Sequence, residues 1–269
     1  MGMKGVVKYF KDGEADVMGI IAGNDVLELS ENSKRAVKMV RQAIKDKRLT
    51  MERIDESVKK ILTAKYWAGL NIKPHVDLEG VSEGVNRPES QALVQQLADA
   101  SMTLLRGRDY VTSLTPDKRT VMIDIGLNET SVFQQEMSGF YKNSLALHLG
   151  KNTTAADIEA LMSRLTSDDQ VIIAIHDTRI RPGNNMSLST ELKSFITAMA
   201  GRGAAFVLFA NPYNLAAMPG IEKASALLVA YQKEAFMQRS AASVFKNQLI
   251  TTGKLPVTAS PLFKYGEGL

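Results

Sequence analysis

Hydrophobic and polar positions are organised in two different ways along this chain of 269 residues. From Arg87 onward, short apolar runs recur between stretches of helical periodicity. The runs cover 103–105, 121–125, 145–149, 171–175, 205–210 and 226–230, and each predicts a strand. The helical stretches are 89–100, with Leu93 and Leu97 on one face, then 131–141, 155–165, 189–200 and 234–248. Gly201 is a natural stop for the fourth. Apolar strands separated by helices are what a parallel sheet covered on both faces requires. Right-handed crossovers then favour an α/β, doubly wound, mostly parallel sheet sandwich.

The first 70 residues follow another pattern. Two short apolar runs, 17–21 and 26–29, flank the turn-like Ala22–Gly23–Asn24–Asp25 and are read as strand-like. Two helices are expected over 32–66. In the second, Met51, Ile54, Val58, Ile61 and Leu62 share a face, and Thr50 is placed to cap its start. Asp55/Lys59 and Glu56/Lys60 stand in the favourable i,i+4 order, and Gly69 ends the helix. Residues 71–88 hold Pro74, Gly80, Gly84 and Pro88 with little periodicity and predict a linker. The expected organisation is therefore 1–70, a linker at 71–88, and an α/β domain at 89–269.

Composition narrows the function classes. Apolar residues make up 45% of the chain and charged residues 23%, enough apolar material for a sizeable core. The 33 basic and 29 acidic side chains are interspersed, and no basic stripe carries interleaved aromatics, so nucleic acid is not an expected partner. No apolar run approaches the ~20 residues of a membrane helix, and no signal-peptide pattern is visible. There is no cysteine, which removes disulfides and thiolate chemistry. His75, His148 and His176 lack metal-ligand spacing, so neither a metal nor another cofactor is expected.

Candidate chemistry is sparse. His176–Asp177 follows the strongest strand, at the carboxyl end where open α/β sheets bind ligands. With Arg179, Arg181 and Gly183–Asn184–Asn185 it forms a polar connection that could contact a substrate. Neighbouring strand residues point to opposite faces, so the two side chains need not cooperate. Asn24 and Asp25 are a second, weak substrate-contact candidate, with a backbone-bonded turn as the plainer reading. Gly201–Arg202–Gly203 precedes a strand, the wrong order for a dinucleotide fingerprint. Asn211–Pro212–Tyr213 reads as a turn, the scattered methionines as core filler, and Trp67 as a packing residue.

Three groups of residues carry a resemblance. Lys4–Gly5–Val6, Ala22–Gly23–Asn24–Asp25–Val26–Leu27 and Arg53–Ile54–Asp55–Glu56–Ser57–Val58 come first. Ser101–Met102–Thr103–Leu104–Leu105 comes next, and Gly253–Lys254–Leu255–Pro256–Val257–Thr258 with Tyr265–Gly266–Glu267–Gly268–Leu269 closes the chain. In this order they resemble glycoside hydrolase family 3, of the two-domain β-N-acetylglucosaminidase type. The resemblance implies that 1–70 is a remnant of a catalytic (β/α)8 barrel, its last strand and helices, and that 89–269 is the family's second, α/β sandwich domain. It implies a parent that hydrolyses O-glycosidic bonds with retention, acting on N-acetylglucosamine-containing carbohydrate in the periplasm or cell envelope. The family's nucleophilic aspartate would fall one or two positions before Met1, and its His–Asp acid/base lies further upstream. No catalytic residue is therefore expected here, and no turnover, since retaining glycosidases need both groups. The missing barrel is then an expected partner, as is a second copy through helices 32–66. Two other readings stay open: a stand-alone carbohydrate-binding or interaction module, and an unrelated α/β enzyme built on His176–Asp177.

Overall fold

The computed structural model describes residues 3–10, 13–75, 77–150, 152–179 and 186–269. Its chain separates into two compact units that divide between Gly84 and Val85.

The first unit is helical: α1 (Lys4–Val7), α2 (Glu14–Ile21), α3 (Ser33–Lys45) and α4 (Met51–Trp67). A short helix α5 (Val81–Val85) lies at the division, within the stretch predicted as a linker. Caps start the two long helices. Asn32 accepts from the Arg35 N–H, and Thr50, as predicted, accepts from the Arg53 N–H. The core is thin: Val17, Ala43 and Leu49, with Ile20, Met39, Val40, Ile44 and Ile54 against them.

Several expectations fail in this unit. Neither 17–21 nor 26–29 is a strand. Val17–Ile21 belongs to α2, whose first turn carries Glu14 and Asp16 and whose Val17 and Ile20 pack at helical spacing. A short continuous apolar run cannot by itself separate strand from helix, and acidic residues at its start favour the helix. Residues 26–29 are irregular, with Val26 and Leu29 exposed and Leu29 at φ 55. The expected apolar face of α4 also splits. Ile54, Ser57 and Ile61 turn inward, whereas Met51, Val58 and Leu62 are exposed. Trp67, expected to pack, is 88% exposed.

The second unit follows its sequence pattern closely. α6 (Pro88–Ser101) leads into β1 (Thr103–Arg106) and α7 (Arg108–Ser113). Then come β2 (Thr120–Ile125), α8 (Val132–Phe140), β3 (Ser144–Leu149), α9 (Ala155–Met162) and β4 (Gln170–His176). The chain continues through α10 (Thr190–Gly201), β5 (Ala205–Phe209), two 3-10 turns, β6 (Ala226–Val229) and α11 (Ala235–Phe245). The six strands order as β1-β6-β5-β4-β2-β3, all parallel except β1.

Both faces of this sheet are covered. On one, Val121, Ile123, Ile173, Phe206 and Leu227 pack with Leu161 of α9 and Phe195 and Ile196 of α10. On the other, Met122, Ile172, Val207 and Leu228 pack with Ala98 of α6, Phe133 and Met137 of α8, and Phe245 of α11. Strand residues point alternately to the two faces, so both parities must be apolar, which is why the runs lack alternation.

The C-terminal segment closes the β1 edge. The Leu269 N–H donates to Leu104 O at 2.7 Å, and the Gly253 N–H to Met102 O at 3.2 Å. A Cβ at Gly253 would lie 2.5 Å from Ser101 O, so only glycine permits this approach. Leu255 is buried and exchanges backbone bonds with Gly266 and Glu267. The tail residues that carry the resemblance are thus the ones that seal this side of the sheet.

Candidate functional site

The strand order places a switch point between β2 and β4. From β2 the chain passes through α8 to β3 on one side, and from β4 it passes through α10 to β5 on the other. Helices α8 and α10 lie on opposite faces, so the two outgoing connections part at this point. Crevices of this kind, beyond the carboxyl ends of the strands, are where open α/β sheets bind ligands.

Beneath this crevice lies a buried polar pair. His176, the last residue of β4, has Nε2 3.2 Å from Asp124 Oδ1 on β2. Both side chains are essentially inaccessible, and the His176 ring stacks on Phe209 with centroids 4.8 Å apart. A buried carboxylate needs a partner, and His176 supplies one. Among the described residues, Asp124 Oδ2 and His176 Nδ1 have no hydrogen-bond partner. Gly126 lets the β2 connection pass over the pair. It sits at φ +95, and a Cβ there would stand 2.5 Å from His176 O. Asp124 escaped the sequence reading. The available signal was one acidic residue inside an otherwise apolar strand, 121–125.

His176 and Asp177 do not form a dyad. Asp177 turns to Arg179, accepting from its backbone N–H at 3.1 Å, from Nε at 2.8 Å and from Nη2 at 2.6 Å. This pairing holds the Arg179 guanidinium above its ordinary pKa. Lys233 Nζ donates to Thr178 O at 3.0 Å, and Asn214 Oδ1 accepts from the Met186 N–H. These contacts fix the described ends of the connection. Arg181 and Gly183–Asn184–Asn185, the remaining candidates there, lie outside the described residues.

Asn24 and Asp25 sit in the first unit, and both are engaged internally. Asn24 Nδ2 donates to Gly19 O at 2.8 Å, closing the end of α2. Asp25 ties the 22–25 turn to α4: Oδ1 accepts from Ser57 Oγ at 2.8 Å and Arg53 Nη1 at 3.0 Å, and Oδ2 from Lys60 Nζ at 2.9 Å. The Lys60 and Ser57 bonds foremost lower the Asp25 carboxyl to about 2. Lys60, expected to face Glu56, therefore makes its close contact with Asp25 instead. Asn24 and Asp25 thus take the backbone-and-helix role of a turn.

A groove of about 880 Å3 runs along β3, lined by Ala146–Gly150, Gly126, Asn128, Asn152, Thr153, Thr178 and the Asp157, Ala160, Leu161 and Arg164 side of α9. Its one carboxylate, Asp157, accepts from Thr154 N–H and Oγ1 in a capping box, bonds that lower its pKa. Among the described residues no group of three or more His, Asp or Glu could hold a metal ion, and no helix is long and apolar enough to cross a membrane.

Comparison with known proteins gives a consistent picture. No family model matches the chain. A β-N-acetylglucosaminidase/β-glucosidase of Cellulomonas fimi is 22% identical, over 81% of this chain and 42% of its own length. The structure of a family 3 β-N-acetylglucosaminidase from a Paenibacillus species superposes with a TM-score of 0.70 at 22% identity, covering 97% of this chain and 50% of that one. A β-glucosidase from Listeria innocua, solved in complex with glucose, gives a TM-score of 0.70 at 16% identity, over 91% of this chain and 36% of that one. The chain spans about half the length of these relatives or less. In sequence and in fold it is similar to family 3 glycoside hydrolases, with the α/β sandwich as its larger unit.

Proposed function

We propose that this chain is a non-catalytic portion of a family 3 glycoside hydrolase acting on N-acetylglucosamine-containing or glucosidic substrates, and that these 269 residues do not hydrolyse glycosides by themselves. The observation that carries the reading is the contrast between a complete sandwich and an incomplete helical unit. Met51, Val58, Leu62, Tyr66 and Trp67 all stand exposed on α4. Covering a side chain of this size is worth roughly 1.5–3 kcal/mol, so the stripe of Met51, Val58, Leu62 and Tyr66 belongs against further structure. A remnant of a (β/α)8 barrel, whose remaining elements would cover this face, accounts for it.

In the second unit the carboxylates of the groove, of the switch point and of the Asp169 turn are each held by a neighbouring group. A retaining glycosidase needs two carboxyl groups about 5–5.5 Å apart, or an equivalent acid/base pair. The groove beside β3 carries one carboxylate, held by its own helix cap. Asp124, Asp177 and Asp169 are engaged by His176, Arg179 and Arg119. In this reading Asn24, Asp25, His176, Asp177 and Arg179 contribute at most positioning or weak sugar contact.

The test is a chromogenic assay with 4-nitrophenyl N-acetyl-β-glucosaminide and the corresponding β-glucoside. The expected result is no release above buffer. Turnover that disappears in His176→Ala would overturn the reading in favour of an independent α/β enzyme. A second copy docking through helices 32–66 is the rival cover for α4. Light scattering after size exclusion separates the two, because a dimer disrupted by Leu62→Glu would assign the face to self-association.

A further inference from the structure

The two edges of the sheet are treated differently, and the difference points to an interaction surface. The β1 edge is sealed by the C-terminal segment through Leu269 and Gly253. The β3 edge is not. Strand β3 bonds β2 through its odd-numbered residues, as the Thr120 N–H to Asn143 O and Gly126 N–H to Leu149 O bonds at its two ends show. Parallel strands alternate the direction of their peptide groups, so the N–H and C=O of Ser144, Ala146 and His148 point away from the sheet. Among the described residues these outward groups have no backbone partner.

An unpaired edge is a template for another strand, and proteins usually blunt it with proline, lysine, a bulge or a cover. Strand β3, Ser-Leu-Ala-Leu-His-Leu, carries no proline and no lysine, and its register with β2 is unbroken over all six residues. The groove outside it runs along the strand and is walled by α9. Small Ala146 lines it, leaving room for an incoming backbone.

We propose that the β3 edge binds an extended, acidic peptide segment, which adds to the sheet as a seventh strand. Charge selects the occupant. Lys142 stands exposed just before the strand, and Arg164 lines the groove wall. Neither Lys142 nor Arg164 has an ion pair among the described residues, whereas Asp157 already serves its helix cap. A second copy of this chain would bring the same basic groups to both sides of the join, so self-pairing is disfavoured. Backbone bonds supply the affinity in this mode, and alternate side chains the selectivity. The inference concerns the second unit alone and stands whether or not the glycosidase reading holds.

The probe is the blocked hexapeptide Glu-Val-Glu-Val-Glu-Val, with its Lys-Val counterpart as control, titrated into the full chain and followed by anisotropy and amide exchange. The expected result is saturable binding of the acidic peptide, slowed exchange at the Ala146 and His148 amides, and weak binding of the basic one. Ala146→Pro removes an outward N–H without touching the β2 ladder and should weaken binding about tenfold. Should Ala146→Pro fail to fold, the double variant Lys142→Glu/Arg164→Glu keeps the strand and should exchange the preference of the two peptides. Equal binding of both peptides, no protection at Ala146 and His148, or a dimer that protects those amides without peptide would each overturn the proposal.

Discussion

The two units of this chain are built from similar residues but retain them differently. In the second, six strands are covered on both faces, and Phe206, Leu208, Leu227 and Leu228 are wholly inaccessible. In the first, the buried core is Val17, Ala43 and Leu49, while Leu62, Tyr66 and Trp67 stand in the open. The apolar residues of α4 thus divide between a covered side and an exposed one. The same contrast appears in the polar groups. The second unit buries a carboxylate and an imidazole together, whereas the first places its main ion pairs around Asp25 near the surface.

The largest effect expected is in the sandwich. Phe206→Ala empties a site packed on both sides and should cost about 3–5 kcal/mol, read from the denaturant midpoint. The matching truncation Leu49→Ala should leave the sandwich transition in place and lower only an earlier one, detected by hydrogen exchange over α3 and α4. A single transition shifted equally by both substitutions would break the comparison.

Next comes the buried pair. Asp124→Ala leaves His176 Nε2 without its acceptor and should cost about 1–3 kcal/mol. Asp124→Asn retains an acceptor and should cost less. Equal losses would show that the bond between Asp124 and His176 contributes little.

A smaller and pH-dependent effect belongs to the first unit. Asp25 titrates at about 2 in the folded chain against its ordinary 3.8. A lowered folded pKa means that the stabilisation is complete above pH ~4 and is lost as pH falls toward 2. Ser57→Ala and Lys60→Met should each flatten that loss, measured as the denaturant midpoint of the first unit between pH 5 and pH 2.5. An unchanged slope in both variants would remove Asp25 from the account.

The smallest effect expected is on the exposed face of α4. Val58→Ser and Leu62→Ser should change the stability of the isolated chain by less than about 1 kcal/mol, because these side chains are only about half covered in it. A loss several times larger would mean that the face is covered in solution, and would direct attention to a second copy.

Legibility in the sequence followed the same division. Each strand of the sandwich was predicted within one residue of where it lies, and its five longer helices within a few residues, whereas the short α7 at Arg108–Ser113 was not anticipated. Fully covered parallel strands leave an unambiguous record: both parities apolar, with helical periods between. The 17–21 run misled because five apolar residues satisfy a strand and one and a half turns of helix equally well. Of the candidate site, His176 was visible as the end of the strongest strand. Its partner was not: the pattern left open whether Asp177 cooperates, and Asp124 arrives from 52 positions away in sequence. Asn24 and Asp25 were marked as weak contacts or turn, and the bonds of Asp25 to the distant Ser57 and Lys60 lay beyond any local pattern.

By itself, then, the sequence determined the alternation of strands and helices in the sandwich, its mostly parallel character and the cap at Thr50, because periodicity and capping are local properties of the chain. Only the tertiary structure decided which face of α4 is covered, that Asp124 rather than Asp177 meets His176, and that one sheet edge is sealed while the outward groups of the other have no backbone partner among the described residues. Each of these depends on residues brought together across the chain, and no local pattern encodes which distant partner arrives.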